Sequence, residues 1–206
     1  ILFVEPNPGK TDASFFTDRV KGELWEGARL GVPESSAKYK IECRSITEFG
    51  DCVSKLQRQL NKGARTRIIR DVSPIVESSL ASTLISNADA ELVTHLSEMR
   101  LIKNKNEIAE LNSVVKSTKN GFEDVIRCLP HAKTERQLEG VFYTRARIEG
   151  NDVGYGSIVA SGSHSCTLHW RHNNGQIRKG DLLLLDAGIE GNCFYTADIT
   201  RTLPIS

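Results

Sequence analysis

The stretch Leu182–Thr202 reads Leu-Leu-Leu-Leu-Asp-Ala-Gly-Ile-Glu-Gly-Asn-Cys-Phe-Tyr-Thr-Ala-Asp-Ile-Thr-Arg-Thr. Four leucines ending in a charge, then Gly and Asn, then threonines alternating with apolar residues, predict a β-hairpin. The first strand is apolar on both faces, so it is expected to be fully buried. It ends in Asp186, and the returning strand carries Asp198, an even number of positions away. A turn symmetric about Asn192 sets the two acids opposite each other across the ladder. Like charges in that position repel, and burial adds the cost of lost hydration. Either one carboxyl keeps its proton, or a cation lies between them.

Spacing alone does not decide the matter. The chain has 26 Asp and Glu residues, so an acidic pair twelve apart is ordinary. Asp186 ahead of Ala-Gly reads equally well as a turn residue, and Asp198 as a solvent-facing one. The neighbours favour the other reading. Thr196, Thr200 and Thr202 share the face of Asp198 in a regular strand, and their hydroxyls suit hydrogen bonds that orient carboxylates. Tyr195, Ala197 and Ile199 take the opposite, more apolar face.

The run Leu185-Asp186-Ala187-Gly188 followed by Tyr195-Thr196-Ala197-Asp198-Ile199-Thr200-Arg201-Thr202 resembles the metal-binding hairpin of the pita-bread metallopeptidases. Upstream, Ile158-Val159-Ala160-Ser161-Gly162 and Cys166-Thr167-Leu168-His169-Trp170 resemble that family's preceding strand and its active-site histidine. Trp25-Glu26-Gly27-Ala28-Arg29-Leu30-Gly31 is similar to a segment of the N-terminal domain in the family's Xaa-Pro aminopeptidase (aminopeptidase P) branch, the closest resemblance. Trp25 itself reads as a packed core residue.

The bulk composition fits a globular protein: 206 residues, 39% hydrophobic, 26% charged, 27 basic against 26 acidic residues and net charge +1. Such a balance gives no pull toward nucleic acid or membrane. No apolar run approaches the roughly 20 residues that span a bilayer. The opening Ile1-Leu2-Phe3-Val4 has no charged leader region and no Met, so the expected location is cytoplasmic and the biological start is expected upstream. Cys43, Cys52, Cys128, Cys166 and Cys193 are odd in number and form no CxxC pair, which predicts reduced and mostly buried thiols.

Along the chain, Ile1–Val4 predicts a strand, and 14–29 a helix interrupted by Gly27 and Gly31. Tyr39–Cys43 predicts a strand and Thr47–Leu60 a helix with Phe49, Cys52, Val53, Leu56 and Leu60 on one stripe. Gly63 is expected to end it, and Arg67–Ile69 to return as a strand, making a small α/β unit. Arg58, Lys62, Arg65, Arg67 and Arg70 read as a solvated face. Residues 71–89, Ser-rich and containing Pro74, read as loop or linker with one short helical turn. Ala90–Met99 predicts a helix with Leu92, Val93 and Leu96 inward.

Two strong helices follow. Asn104 with Glu107 forms one capping box and Thr134 with Gln137 another. Ile108, Leu111, Val115, Phe122, Val125 and Ile126 mark the inner stripe of the first, which Leu129-Pro130 stops. Leu138, Val141, Phe142, Arg145 and Ile148 mark the second, which Gly150 ends. Residues 157–160, 167–170, 182–186 and 194–202 predict strands. The fold class is α/β (α+β). Residues 1–98 are expected to form the later part of an N-terminal α/β domain, and residues 99–206 the first half of a pita-bread catalytic domain.

The resemblance implies a chemistry. The family uses two divalent ions, commonly manganese, that share a hydroxide able to attack the carbonyl before proline. Carried over, Asp186 chelates one ion and Asp198 bridges both. His169 hydrogen-bonds the substrate carbonyl, and Tyr155 and Thr200 orient the carboxylates. His164 and His172 read as surface loop residues. The implied activity is that of a metalloprotease, an aminopeptidase acting on peptides with proline at the second position, in a homo-oligomer that binds neither nucleic acid nor membrane.

One departure qualifies this. The family completes its site with a further His and two Glu from a second half, and nothing after Asp198 in this sequence supplies them. His95 and His131 lie in the wrong elements. The chain is therefore expected to be the middle of an enzyme, a fragment inactive alone, because two carboxylates hold a divalent ion weakly. The twelve-residue spacing is one longer than in many relatives, which leaves the hairpin register open. The alternatives are a prolidase-type dipeptidase, a metal-free creatinase-like enzyme, a non-catalytic pita-bread binding module such as a histone-chaperone domain, or a fragment stable only when paired.

Overall fold

The computed structural model describes residues 1–60, 66–80 and 88–206. They divide into two compact units, Ile1–Arg100 and Leu101–Ser206.

In the first unit β1 (Leu2–Val4) runs parallel to β2 (Cys43–Ser45), with Leu2 beside Cys43. The helices α1 (Ser14–Thr17), α2 (Glu23–Glu26) and α3 (Val32–Tyr39) lie between them in sequence. A 3-10 turn, Ile46–Glu48, is capped by Ser45, whose hydroxyl accepts from the Thr47 amide, and leads into α4 (Phe49–Leu60). Two more helices follow, α5 (Pro74–Leu80) and α6 (Asp89–Leu101). Val53, Ile68 and Leu80 form a small core flanked by Phe49 and Val76. The ring of Phe3 meets Phe49 edge-on at 5.1 Å. Asp89 is buried, accepting from the Ile68 amide at 3.0 Å and from Arg70 Nε at 2.5 Å. The Ile68 hydrogen bond, helped by Arg70, holds its carboxyl below the usual range.

Several expectations for this unit are corrected. The helix expected over 14–29 is two four-residue pieces, because Gly22 and Gly27 punctuate it. Tyr39 ends a helix, and the strand begins only at Cys43. Residues 67–69 form no strand. Pro74–Leu80 is helical for seven residues rather than one turn. Trp25 is 51% exposed, its indole N–H bonding the Phe16 carbonyl and its face under Arg19. Arg67 pairs with Glu91, and Arg70 with Asp89, so they are not merely solvated. Val93 faces outward. Lys62, Gly63, Arg65 and the side chain of Leu60 lie outside the described residues.

The second unit is built on α7 (Lys105–Cys128) and α8 (Glu135–Glu149). Both capping boxes form: Asn104 accepts from the amides of Asn106 and Glu107, and Thr134 from that of Gln137. A 3-10 turn, Leu129–His131, stops α7, and Gly150 caps α8. Gly121 lets the helices meet, because a Cβ there would stand 2.7 Å from the Phe142 ring. Phe122 packs edge-on against Phe142 at 6.0 Å. Then come β3 (Asp152–Val153), β4 (Ile158–Ser161), β5 (Leu182–Ala187), β6 (Ile189–Glu190) and β7 (Ile199–Pro204). The order β4-β5-β7 makes an antiparallel sheet, and β3 pairs with β6.

Leu183, Leu185 and Ala187 of β5 are wholly buried against Phe122, Val125, Leu138, Phe142 and Ala146. The opposite edge of the alternation is open: Leu182 is 53% exposed, and Leu184 and Asp186 are half-buried. The expectation of a fully buried strand is thus corrected to a strand with one buried side. The α7 stripe is also rotated from the expected one. Val114, Thr118, Gly121, Phe122 and Val125 are buried, whereas Ile108, Val115 and Ile126 are exposed. Ile148 of α8 is exposed too. Cys166 and Cys193 are exposed rather than buried.

Truncating Phe142 to alanine should cost about 3–5 kcal/mol of stability in the second unit. Ile108→Ala should change it by less than about 0.5 kcal/mol. Comparing chemical denaturation of the two variants checks which face of the helix pair is the core.

Candidate active site

Asp186 is the fifth residue of β5 and lies opposite Thr200 of β7, not opposite Asp198. The ladder is symmetric about Cys193 rather than Asn192, so Asp198 is the diagonal neighbour of Asp186. A two-residue change in pairing preserves side-chain parity, so both acids stay on the same sheet face. The register then makes Thr200 the direct partner: its hydroxyl donates to Asp186 Oδ2 at 2.8 Å.

Tyr155, just before β4, joins the acids. Its hydroxyl lies 2.6 Å from Asp186 Oδ1 and 2.9 Å from Asp198 Oδ1. A phenol carries one proton, so that proton is shared between two carboxylates. Burial, then hydrogen bonds to Asp186 and Asp198 and their charges, push the Tyr155 pKa strongly upward, so the phenol stays protonated. Gly188 makes the approach possible, because a Cβ there would lie 1.6 Å from the Ala197 carbonyl oxygen and 3.2 Å from Tyr155. The Asp-Ala-Gly run therefore ends in the residue that lets the acidic strands and the phenol close up.

The pair is not buried as expected. Asp186 is half-buried, and Asp198 and Thr200 are exposed. Hydration thus softens the repulsion in this chain. The donors are hard oxygens, which suit magnesium, calcium or manganese. Among the described residues no group of three or more His, Cys, Asp or Glu gathers to hold a metal. The set fits a divalent ion in kind and supplies part of the six or so ligands one takes.

His169 lies outside any strand. The segment 167–170, expected to be β, is a turn after the 3-10 stretch Gly162–Cys166, and His169 is exposed in it. What shapes this loop is Glu135, at the start of α8 and fully buried. Its Oε1 accepts from the Ser161 amide at 2.7 Å and faces His164 Nδ1 at 2.9 Å. Its Oε2 accepts from Trp170 Nε1 at 2.9 Å and the Gly175 amide at 2.7 Å. Burial pushes the Glu135 carboxyl up, and the four hydrogen bonds overcome that and hold it below its ordinary range. The imidazole of His164 stacks on Trp170 at 3.9 Å, so it is not the free surface residue expected. His172 stays exposed, edge-on to Trp170. Asn173, fully buried, ties the loop to β4 by accepting from the Val159 amide and donating to the Ser157 carbonyl. Glu135 escapes a sequence reading because an acid in a first helical turn is ordinarily a solvated partner of the helix dipole.

Residues 109–206 match the family model described as metallopeptidase family M24. The particular relatives are proline-directed aminopeptidases. Xaa-Pro aminopeptidase 1 of Streptomyces coelicolor is 44% identical over 207 aligned residues, covering 100% of this chain and 41% of that protein. The Xaa-Pro aminopeptidase of Haemophilus influenzae is 32% identical over 89% of this chain and 43% of its own length. Among solved structures, a Glu→Ala variant of Escherichia coli aminopeptidase P in complex with substrate superposes with TM-score 0.74 at 27% identity, covering 89% of this chain and 44% of that one. Pseudomonas aeruginosa aminopeptidase PepP gives 0.72 at 27% identity, covering 100% and 46%. The chain shares the fold of these aminopeptidases and spans less than half the length of each.

The depressed Glu135 carboxyl contributes stability above its unfolded pKa of about 4.3. That contribution is lost as the pH falls through the lower folded value. Thermal midpoints of the second unit should therefore drop below about pH 4, and Glu135→Gln should flatten that part of the profile.

Proposed function

We propose that these residues supply part of the active site of a metal-dependent aminopeptidase that removes the N-terminal residue from peptides with proline at the second position. The observation that carries this reading is the single phenol of Tyr155 holding Asp186 and Asp198 together on the open side of the sheet. The 44% identity to an Xaa-Pro aminopeptidase supports the substrate class.

In this reading Asp186 and Asp198 would hold divalent ions, manganese being one of the hard cations that their oxygens suit. Such ions lower the pKa of a water so that it can attack a peptide carbonyl at neutral pH. Tyr155 and Thr200 orient the two acids through hydrogen bonds to three of their four carboxylate oxygens, and each of those oxygens keeps a lone pair for a ligand. His169, exposed on its turn, offers a ring N–H to the carbonyl oxygen of the scissile bond as negative charge grows there. Residues 1–98 serve as the later part of the N-terminal domain and 99–206 as the first half of the catalytic one. The remaining ligands come from outside the chain, so the 206 residues alone are inactive. The working protein is cytoplasmic and homo-oligomeric. No described helix is long and apolar enough to cross a membrane.

The test is turnover of Ala-Pro-type peptides by the complete protein. A tripeptide should be cleaved and a dipeptide ending in proline should not; the reverse outcome marks a prolidase. Chelation should abolish turnover and manganese restore it, and metal-independent cleavage would refute the reading. Tyr155→Phe removes the shared proton and should lower metal affinity or activity about 10–100-fold, read by metal titration alongside kinetics.

A further inference from the structure

Glu135 is the one fully buried carboxylate of the second unit, and the proposed chemistry does not use it. All four of its donors come from one loop. Ser161 and Gly175 stand at the two ends of that loop, and the rings of His164 and Trp170 lie between. Each carboxylate oxygen takes one backbone N–H and one ring nitrogen. The Glu135 amide also donates to the Gly175 carbonyl at 3.0 Å. The next residue, Arg136, donates from Nη2 to the His172 carbonyl. Gly175 is required, because a Cβ there would stand 2.6 Å from Glu135 Oε1 and from His164 Nδ1. Burying a charge is costly unless every lone pair finds a donor. The site meets that condition, so it is built around an ionised glutamate.

Trp170 directly follows His169, and its indole N–H is held by Glu135 while its face is held by His164. We propose that Glu135 is a positioning residue for His169: by clamping Trp170 and both ends of the Ser161–Gly175 loop, it sets where the otherwise exposed imidazole stands. This rests on the reading of His169 as the group that contacts the substrate carbonyl. A glutamine cannot replace this carboxylate. Its NH2 would face the Ser161 or the Gly175 amide N–H in place of an acceptor, leaving a buried donor unpaired.

The experiment uses the complete enzyme with an Ala-Pro-Ala tripeptide, metal content measured in parallel, and His169 followed by its Hε1 resonance. Glu135→Gln should lower kcat roughly 10–100-fold, keep KM within about twofold, leave metal content unchanged and shift the His169 resonance. Trp170→Phe keeps an aromatic ring beside His164 but loses the indole N–H together with the fused five-membered ring, and it leaves Glu135 in place, so it guards against a misfolded first variant. It should lower kcat about 3–10-fold and add little on top of Glu135→Gln, because both cut the same link. A lower thermal midpoint with unchanged kcat and an unmoved His169 resonance would make Glu135 a fold clamp only and overturn the proposal. His169→Ala separates the two readings. If it retains turnover, the role of His169 is wrong and the proposal falls with it. If it is inactive while Glu135→Gln is not impaired, the proposal alone fails.

Discussion

The second unit depends on the one-sided burial of β5. Leu183, Leu185 and Ala187 point into the side chains of α7 and α8 and lose all contact with water. Their alternates, Leu182, Leu184 and Asp186, do not. Burying three such side chains is worth several kcal/mol, and a slip of one residue would exchange the buried set for the acid. The apolar side therefore sets the register, and the register delivers Asp186 to the open side beside Thr200 and within reach of Tyr155. The acids do not organise the sheet; they occupy positions that packing assigns to them.

The start of α8 does comparable work for the loop. A helix N-terminus favours negative charge, and here the carboxylate of Glu135 turns inward to collect four N–H groups instead of facing water. Between β4 and β5 the loop that carries His169 has a single β-bridge, Gln176 to Thr134, and no longer ladder. Its order comes from Glu135, Arg136 and Asn173, which together replace strand pairing with side-chain hydrogen bonds. That also explains why 167–170 is not a strand although Thr-Leu-His-Trp alternates suitably: no partner strand runs beside it, and Leu168 is 87% exposed.

Glycines mark the places where backbone and side chains approach most closely. Gly121 admits the Phe142 ring between the helices, Gly175 admits the Glu135 carboxylate, and Gly188 admits the Ala197 carbonyl next to Tyr155. Their role is the missing Cβ rather than a left-handed backbone, since none of the three has a positive φ. Only two of these contacts lie near the candidate catalytic groups; the first is pure packing.

The amino-acid sequence by itself determined the local features. The two capping boxes, the stop at Leu129-Pro130, the cap at Gly150 and the hairpin carrying Asp186 and Asp198 all depend on residues a few positions apart, whose preferences act without outside help. The parity of the acids was legible too, because any symmetric turn with an even separation preserves it. Tertiary structure decided the rest. Which side of α7 is buried depends on where α8 lies, and Gly121 and Thr118 win positions that Ile108 and Val115 fill better by hydropathy. Thr200 became the direct partner of Asp186 because the turn centres on Cys193. Glu135 became a buried hub only because a loop some 26–40 positions later folds back onto it. Contacts of that separation leave no periodic trace in a chain, since each donor is an ordinary residue until the fold brings it to the acceptor.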